Sequence, residues 1–180
     1  MMAEAAAQAA RKQREPSSAD AERLNDEVPR TYLHPAQLFV SADPCYVTTI
    51  LGSCVAVCLW DPSRKLGGIN HFLLPYRATD RSPSLRFGGV AIERLIDSLL
   101  GMGSYKKDLQ AKVFGGASLA GARQPGDHSL GSQNVQLARM LLAERAIAVV
   151  AEDVGGNRGR KLIFCTTTGE AWVKTLQGGG

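Results

Sequence analysis

Leu51-Gly52-Ser53-Cys54-Val55-Ala56-Val57-Cys58-Leu59-Trp60 is followed, after Asp61-Pro62-Ser63-Arg64-Lys65, by Leu66-Gly67-Gly68-Ile69-Asn70-His71-Phe72-Leu73-Leu74-Pro75. Two apolar runs of strand length on either side of a proline-containing turn predict an antiparallel hairpin. In such a hairpin His71 lies well past the turn and returns towards the start of the first strand, where Cys54 follows the Gly52-Ser53 turn. A thiol and an imidazole are thereby placed on neighbouring strands, and Pro75, which has no N–H to donate, closes the second run.

Outward from this hairpin, the bulk properties narrow the function. The chain has 180 residues, 44% of them hydrophobic, enough for one domain with a sizeable core. The net charge of +4 arises from 21 basic and 17 acidic residues. The basic residues are dispersed among acids, and only 6% of the chain is aromatic, so neither a nucleic-acid footprint nor a base-stacking surface is expected. There is no secretory leader pattern and no apolar run long enough to span a bilayer, so membrane insertion is not expected. Cys45, Cys54, Cys58 and Cys165 are accordingly expected as reduced thiols in a cytoplasmic protein. Cys54 and Cys58 are separated by three residues on one strand, which misses the paired spacing of zinc sites, so no metal is expected. The same separation spans about 13 Å, too far for a redox disulfide.

Along the rest of the chain, residues 1–28 have almost no large apolar side chains and read as a tail that cannot offset the entropy of ordering. Residues 29–176 read as the functional domain and 177–180 as a flexible end. Short strands are expected at Thr31-Tyr32-Leu33, Leu38-Phe39-Val40 and Tyr46 to Leu51, and an exposed loop from Tyr76 to Gly89. Ile92, Leu95, Ile96, Leu99 and Leu100 share one face of a helix over Val90–Leu100, stopped by Gly101. Ala111 to Ala117 reads as a strand ending in a glycine turn, and Gly121 to Gly131 as a polar connection. A second helix, capped by Ser132, runs through Arg145. Strands at Ala146–Ala151 and Lys161–Cys165 and a final one at Glu170–Lys174 complete the order. The lack of a regular strand-helix-strand rhythm favours an α/β fold with a mixed sheet and packed helices over a doubly wound parallel sheet.

The chemistry concentrates on Cys54. A cysteine within a strand ordinarily serves as a small buried hydrophobe, which suffices for Cys45, Cys58 and Cys165. Cys54 instead follows Gly52 and Ser53, where a tight turn can aim backbone N–H groups at an oxyanion. A thiol nucleophile also needs a base, and His71 is the histidine lying in an apolar run; His34 precedes Pro35, and His128 lies in the polar connection. A third group must hold the imidazole, and a hydroxyl of the preceding strand, Thr48 or Thr49, is in range. The glycine clusters at Phe114-Gly115-Gly116-Ala117 and Val154-Gly155-Gly156-Asn157-Arg158-Gly159-Arg160 lack the order of phosphate or dinucleotide loops and read as turns. Arg158 and Arg160 remain available to a carboxylate.

Several of these stretches, in this order, resemble the CheD family of chemoreceptor glutamine deamidases. They are Thr48 to Cys54, Gly67 to Pro75, Ala91-Ile92-Glu93, Lys112 to Ala117, Gly131 with Asn134-Val135, and Glu152 to Lys161. The resemblance covers roughly Tyr46 to Lys174. It implies a three-layer α/β sandwich in a single domain and places the family's catalytic cysteine, histidine and threonine on Cys54, His71 and Thr48. It further implies a glutamine side chain of a methyl-accepting chemotaxis receptor as substrate, converted to glutamate without metal or organic cofactor. In some organisms a CheC-type phosphatase is a partner, so a non-catalytic adaptor is the competing role. A cysteine protease or transglutaminase would use the same dyad. Two departures from the family pattern, Gly88-Gly89 and Gln133, bear on substrate or partner contacts rather than on the three residues.

Overall fold

The computed structural model describes residues 27–76, 84–118 and 128–177. Most of the expected N-terminal tail, of the loop after Tyr76 and of the polar connection therefore lies outside the described residues, as do residues 178–180.

The hairpin forms as the sequence predicts. β4 (Val55–Asp61) and β5 (Leu66–His71) pair antiparallel from Asp61 opposite Leu66 to Cys58 opposite Ile69. Around them, β2 (Gln37–Ser41), β6 (Gln110–Gly115) and β7 (Ala148–Val154) complete a five-stranded sheet in the order β2-β5-β4-β6-β7. Its β6–β7 pair is parallel, so the sheet is mixed. A second mixed sheet has the order β1-β3-β8-β9, from β1 (Arg30–Tyr32), β3 (Tyr46–Leu51), β8 (Arg160–Cys165) and β9 (Ala171–Thr175). Here β1 lies parallel to β3, and the other neighbours are antiparallel.

Strand alternation explains the layers, because successive side chains of a strand point to opposite faces. In β4, Val55, Val57 and Leu59 pack with the two helices, whereas Ala56 and Cys58 pack against Val47, Leu51, Leu162 and Phe164 of the four-stranded sheet. The five-stranded sheet is thus the middle of three layers and buried on both faces, which is why its central strand reads as an unbroken apolar run. The strands divide between two sheets, where one sheet was expected from the sequence.

Helix α1 (Gly88–Gly101) buries Ile92, Leu95, Ile96 and Leu99 against this sheet and starts two residues before the apolar periodicity does. Gly88 allows that start, since a Cβ there would strike the ring of Phe72 and Leu137. Burying each such leucine or isoleucine contributes about 1.5–3 kcal/mol, far more than the helix propensity of single residues. Helix α2 (Leu130–Glu144) is capped by Ser129, whose side-chain oxygen accepts from the Ser132 N–H. Ser132, the expected cap, instead stands in the first turn as the donor.

Candidate active site

Beyond the regular ladder the hairpin opens next to His71. Val55 and Phe72 exchange both backbone hydrogen bonds, at 3.1 and 3.0 Å, in the same register as the ladder. Between that pair and Cys58, the Val57 N–H is taken at 2.9 Å by the side-chain oxygen of Asn70. The shared register sets Ala56 opposite His71 and Cys54 opposite Leu73, on one face of the pair. Cys54 and His71 therefore both face the layer between the sheets, one diagonal position apart, a separation of roughly 7–8 Å between backbones that side chains span. His71 is 2% exposed, whereas Cys54 is half-buried.

The ring is held from β3. The Thr49 Oγ1 lies 2.8 Å from His71 Nδ1, and the same hydroxyl donates to the Leu33 carbonyl at 2.8 Å. A carbonyl only accepts, and a hydroxyl has one hydrogen, so Thr49 must accept the proton carried by Nδ1. The lone pair of the neutral ring is then on Nε2, which is buried and has no hydrogen-bond partner among the described residues. This arrangement corrects the assignment of the ring-holding threonine to Thr48. Val47, Thr49 and Leu51 point between the sheets, while Thr48 and Ile50 point to the opposite face of β3. Thr48 sits opposite Tyr32 and Ile163 within its own sheet, turned away from the ring.

The turn before Cys54 is fixed at three consecutive carbonyls. Ala117 N–H donates to Gly52, Asn134 Nδ2 to Ser53 at 3.0 Å, and Gly116 N–H to Cys54. Gly115 makes the last of these possible: its φ is +106°, and a Cβ there would collide with the Cys54 carbonyl. Gly131 lets the start of α2 approach the same turn, since a Cβ would strike the Gly116 and Ala117 carbonyls. The N–H groups of Ser53 and Cys54 donate to no acceptor among the described residues.

Burial sets the charge state of the pair. It pushes the Cys54 thiol above its ordinary value, against a smaller opposing effect of the Cys54 N–H. It also pulls the His71 imidazolium down to about 4. At neutral pH the resting pair is therefore a thiol beside a neutral imidazole with a free lone pair. Cys58 is fully buried, and its thiol is pushed up strongly by the same cause. His34 is exposed against Tyr32, and His128 is exposed with its carbonyl accepting from Gln133.

Arg160, named from sequence as a carboxylate holder, is spent within the chain. Its guanidinium bonds the Asp153 carboxylate at 2.6 Å and the Asp153 and Gly155 carbonyls. Through it the Gly155–Gly159 loop is pinned beside the Cys54 turn, where Ser118 N–H donates to Gly156. Leu33 and the contacts of Asn134 escaped the sequence reading, whereas Thr49 was one of the two hydroxyls that the residues left open. For Thr49 a signal existed, because Val47 and Leu51 flank it in the alternation of β3. No group of three or more His, Cys, Asp or Glu side chains placed to hold a metal ion occurs among the described residues.

The family described as CheD chemotactic sensory transduction matches residues 73–175, more than half of the chain. The chain belongs to the CheD family. That match starts two residues beyond His71, so it speaks for the scaffold rather than for the dyad. Whole-chain relatives reach further. A protein of Anaeromyxobacter dehalogenans (strain 2CP-C), named probable chemoreceptor glutamine deamidase CheD 1, is 52% identical over 147 residues, which is 82% of this chain and 85% of that protein. Proteins named probable chemoreceptor glutamine deamidase CheD from Sulfurimonas denitrificans and Trichlorobacter lovleyi are 40% and 43% identical. These two matches cover 84% and 82% of this chain and 97% and 91% of theirs.

Proposed function

We propose that this CheD-family protein is a cysteine-dependent protein-glutamine deamidase that converts glutamine side chains of chemotaxis receptors to glutamate in the cytoplasm. The observation that carries the reading is the His71 ring, with Nδ1–H committed to Thr49 and the Nε2 lone pair free on the face that bears Cys54. The names of the relatives support the reaction class and the receptor substrate. Among the described residues no helix is long and apolar enough to cross a membrane.

His71 Nε2 takes the proton of the Cys54 thiol as the sulfur attacks the glutamine amide carbon. The carbonyl oxygen becomes an oxyanion, met by the N–H groups of Ser53 and Cys54 that the Gly52 turn presents. The imidazolium returns the proton to the leaving nitrogen, the C–N bond breaks, and ammonia departs from a γ-glutamyl thioester. Water, deprotonated by the same Nε2, attacks the thioester; the C–S bond breaks, and glutamate and the thiol are regenerated. Thr49 keeps Nδ1 protonated throughout, and positioned acid-base help of this kind is worth about 10²–10⁴-fold. The product carries one additional negative charge on the receptor.

The test is peptide mass spectrometry of receptors co-expressed with wild-type, Cys54→Ala or His71→Ala protein. Glutamine sites gain about one mass unit with an intact backbone in the wild type alone. Conversion by Cys54→Ala would refute the reading. A cleaved peptide bond would indicate a protease instead, and an amine-linked glutamine a transglutaminase.

A further inference from the structure

Asn134 is fully buried on the first turns of α2, and its side-chain amide makes two hydrogen bonds to backbone. Nδ2 donates at 3.0 Å to the carbonyl of Ser53, which precedes the nucleophile, and at 2.9 Å to that of Leu73, two residues beyond His71. Both partners are carbonyls, which only accept, so the orientation of the amide is fixed. Its Oδ1 is buried without a partner among the described residues, so the amide sits in the core for its two donors alone.

In a trans peptide the N–H points opposite to the C=O of the same plane, and there is no cis bond in the described chain. The Ser53 carbonyl and the Cys54 N–H belong to one such plane. Holding the carbonyl towards α2 therefore holds the Cys54 N–H away from α2. Resting on the deamidase reading, we infer that Asn134 is a positioning residue that aims the Cys54 N–H at the oxyanion and ties the cysteine and histidine strands to one amide. Asn134 touches neither substrate nor sulfur and acts through the Ser53–Cys54 peptide plane.

Such a role separates two reactions of the same sulfur. Hydrolysis of a glutamine amide passes through an oxyanion and needs the aimed N–H. Alkylation by iodoacetamide displaces iodide at a saturated carbon and forms no oxyanion. Asn134→Leu keeps the branched outline of the side chain, at a larger volume, and removes both donors. Its kcat on a receptor glutamine is expected to fall about 10²–10³-fold, as for loss of an oxyanion donor. KM and the pH-dependent rate of Cys54 alkylation should stay within a few-fold of wild type. In ¹⁵N-labelled protein the Cys54 amide resonance should shift, while those of β7 and β9 stay in place.

An unchanged kcat, or an unshifted Cys54 amide, would overturn the inference. Hydrolysis and alkylation falling together, with resonances moving throughout the protein, would reduce Asn134 to a packing residue and overturn it equally. Should wild-type protein fail to deamidate any receptor glutamine, the functional reading falls first, and the amide resonance alone still decides whether Asn134 sets the Ser53–Cys54 plane.

Discussion

Thr49 Oγ1 stands 2.8 Å from His71 Nδ1, while Thr48, its neighbour on β3, points to the other face of the sheet. Replacing Thr49 with Val would leave a buried Nδ1–H without an acceptor, a loss of about 1–3 kcal/mol. It would also remove the group that keeps the lone pair on Nε2. Deamidation by Thr49→Val is expected to fall about ten- to a hundredfold. Thr48→Val should stay within a few-fold of wild type, and its urea midpoint should shift by less than about 0.5 kcal/mol in stability. Initial rates and urea titrations of the two variants check the assignment; a larger loss for Thr48→Val would reverse it.

The buried imidazole predicts the pH behaviour. His71 binds its proton near 4 when folded and near its ordinary 6.5 when unfolded. Between these values the unfolded chain holds more protons, so stability is fully present above pH 6.5 and declines as pH falls towards 4. The loss amounts to about 3 kcal/mol and should disappear in His71→Gln. The acid limb of kcat/KM should likewise lie near pH 4 rather than 6.5, because only protonated His71 cannot take the thiol proton. Denaturant titrations and initial rates from pH 4 to 8 measure both.

Gly115 tests the turn behind Cys54. A Cβ at this residue would collide with the Cys54 carbonyl at a φ of +106°. Gly115→Ala is expected to lose more than about 2 kcal/mol and nearly all deamidation. Gly103 provides the control, with a similar φ of +102° but nothing near its Cβ. Gly103→Ala should show backbone strain alone, about 1 kcal/mol, with normal kcat. Thermal denaturation and kinetics separate the two contributions.

Arg160 supports the loop on the other side of the turn, with its side chain 7% exposed against 34% for Asp153. Truncating the buried partner leaves the Asp153 and Gly155 carbonyls without their donor. Arg160→Leu is expected to cost about 2–3 kcal/mol. Asp153→Asn keeps the carbonyl contacts and should cost less than about 1 kcal/mol. Equal losses in urea titrations would contradict this ordering.

The hairpin was legible because its two apolar runs and the Pro62 turn are local features, and His71 stood out as the histidine in an apolar run. Choosing between Thr48 and Thr49 needed more than their spacing to Cys54. Both faces of β3 are partly covered, so the choice depends on which face meets the second sheet. The division of the strands into two sheets was hidden for the same reason: Cys58 and Val57 read alike until their partners, Phe164 and Val113, are known. Asn134 escaped because its meaning comes from carbonyls 81 and 61 residues earlier in the chain.

The Leu33 carbonyl that receives the Thr49 proton immediately follows β1, a three-residue strand on the rim of its sheet. If that rim peels away, the Thr49 hydroxyl loses its acceptor and becomes free to swing its hydrogen towards the ring. Nδ1 would then be the nitrogen with the lone pair, and the hydrogen would sit on Nε2. Fraying of this short strand would thus exchange the protonated and unprotonated nitrogens of His71 without displacing its ring.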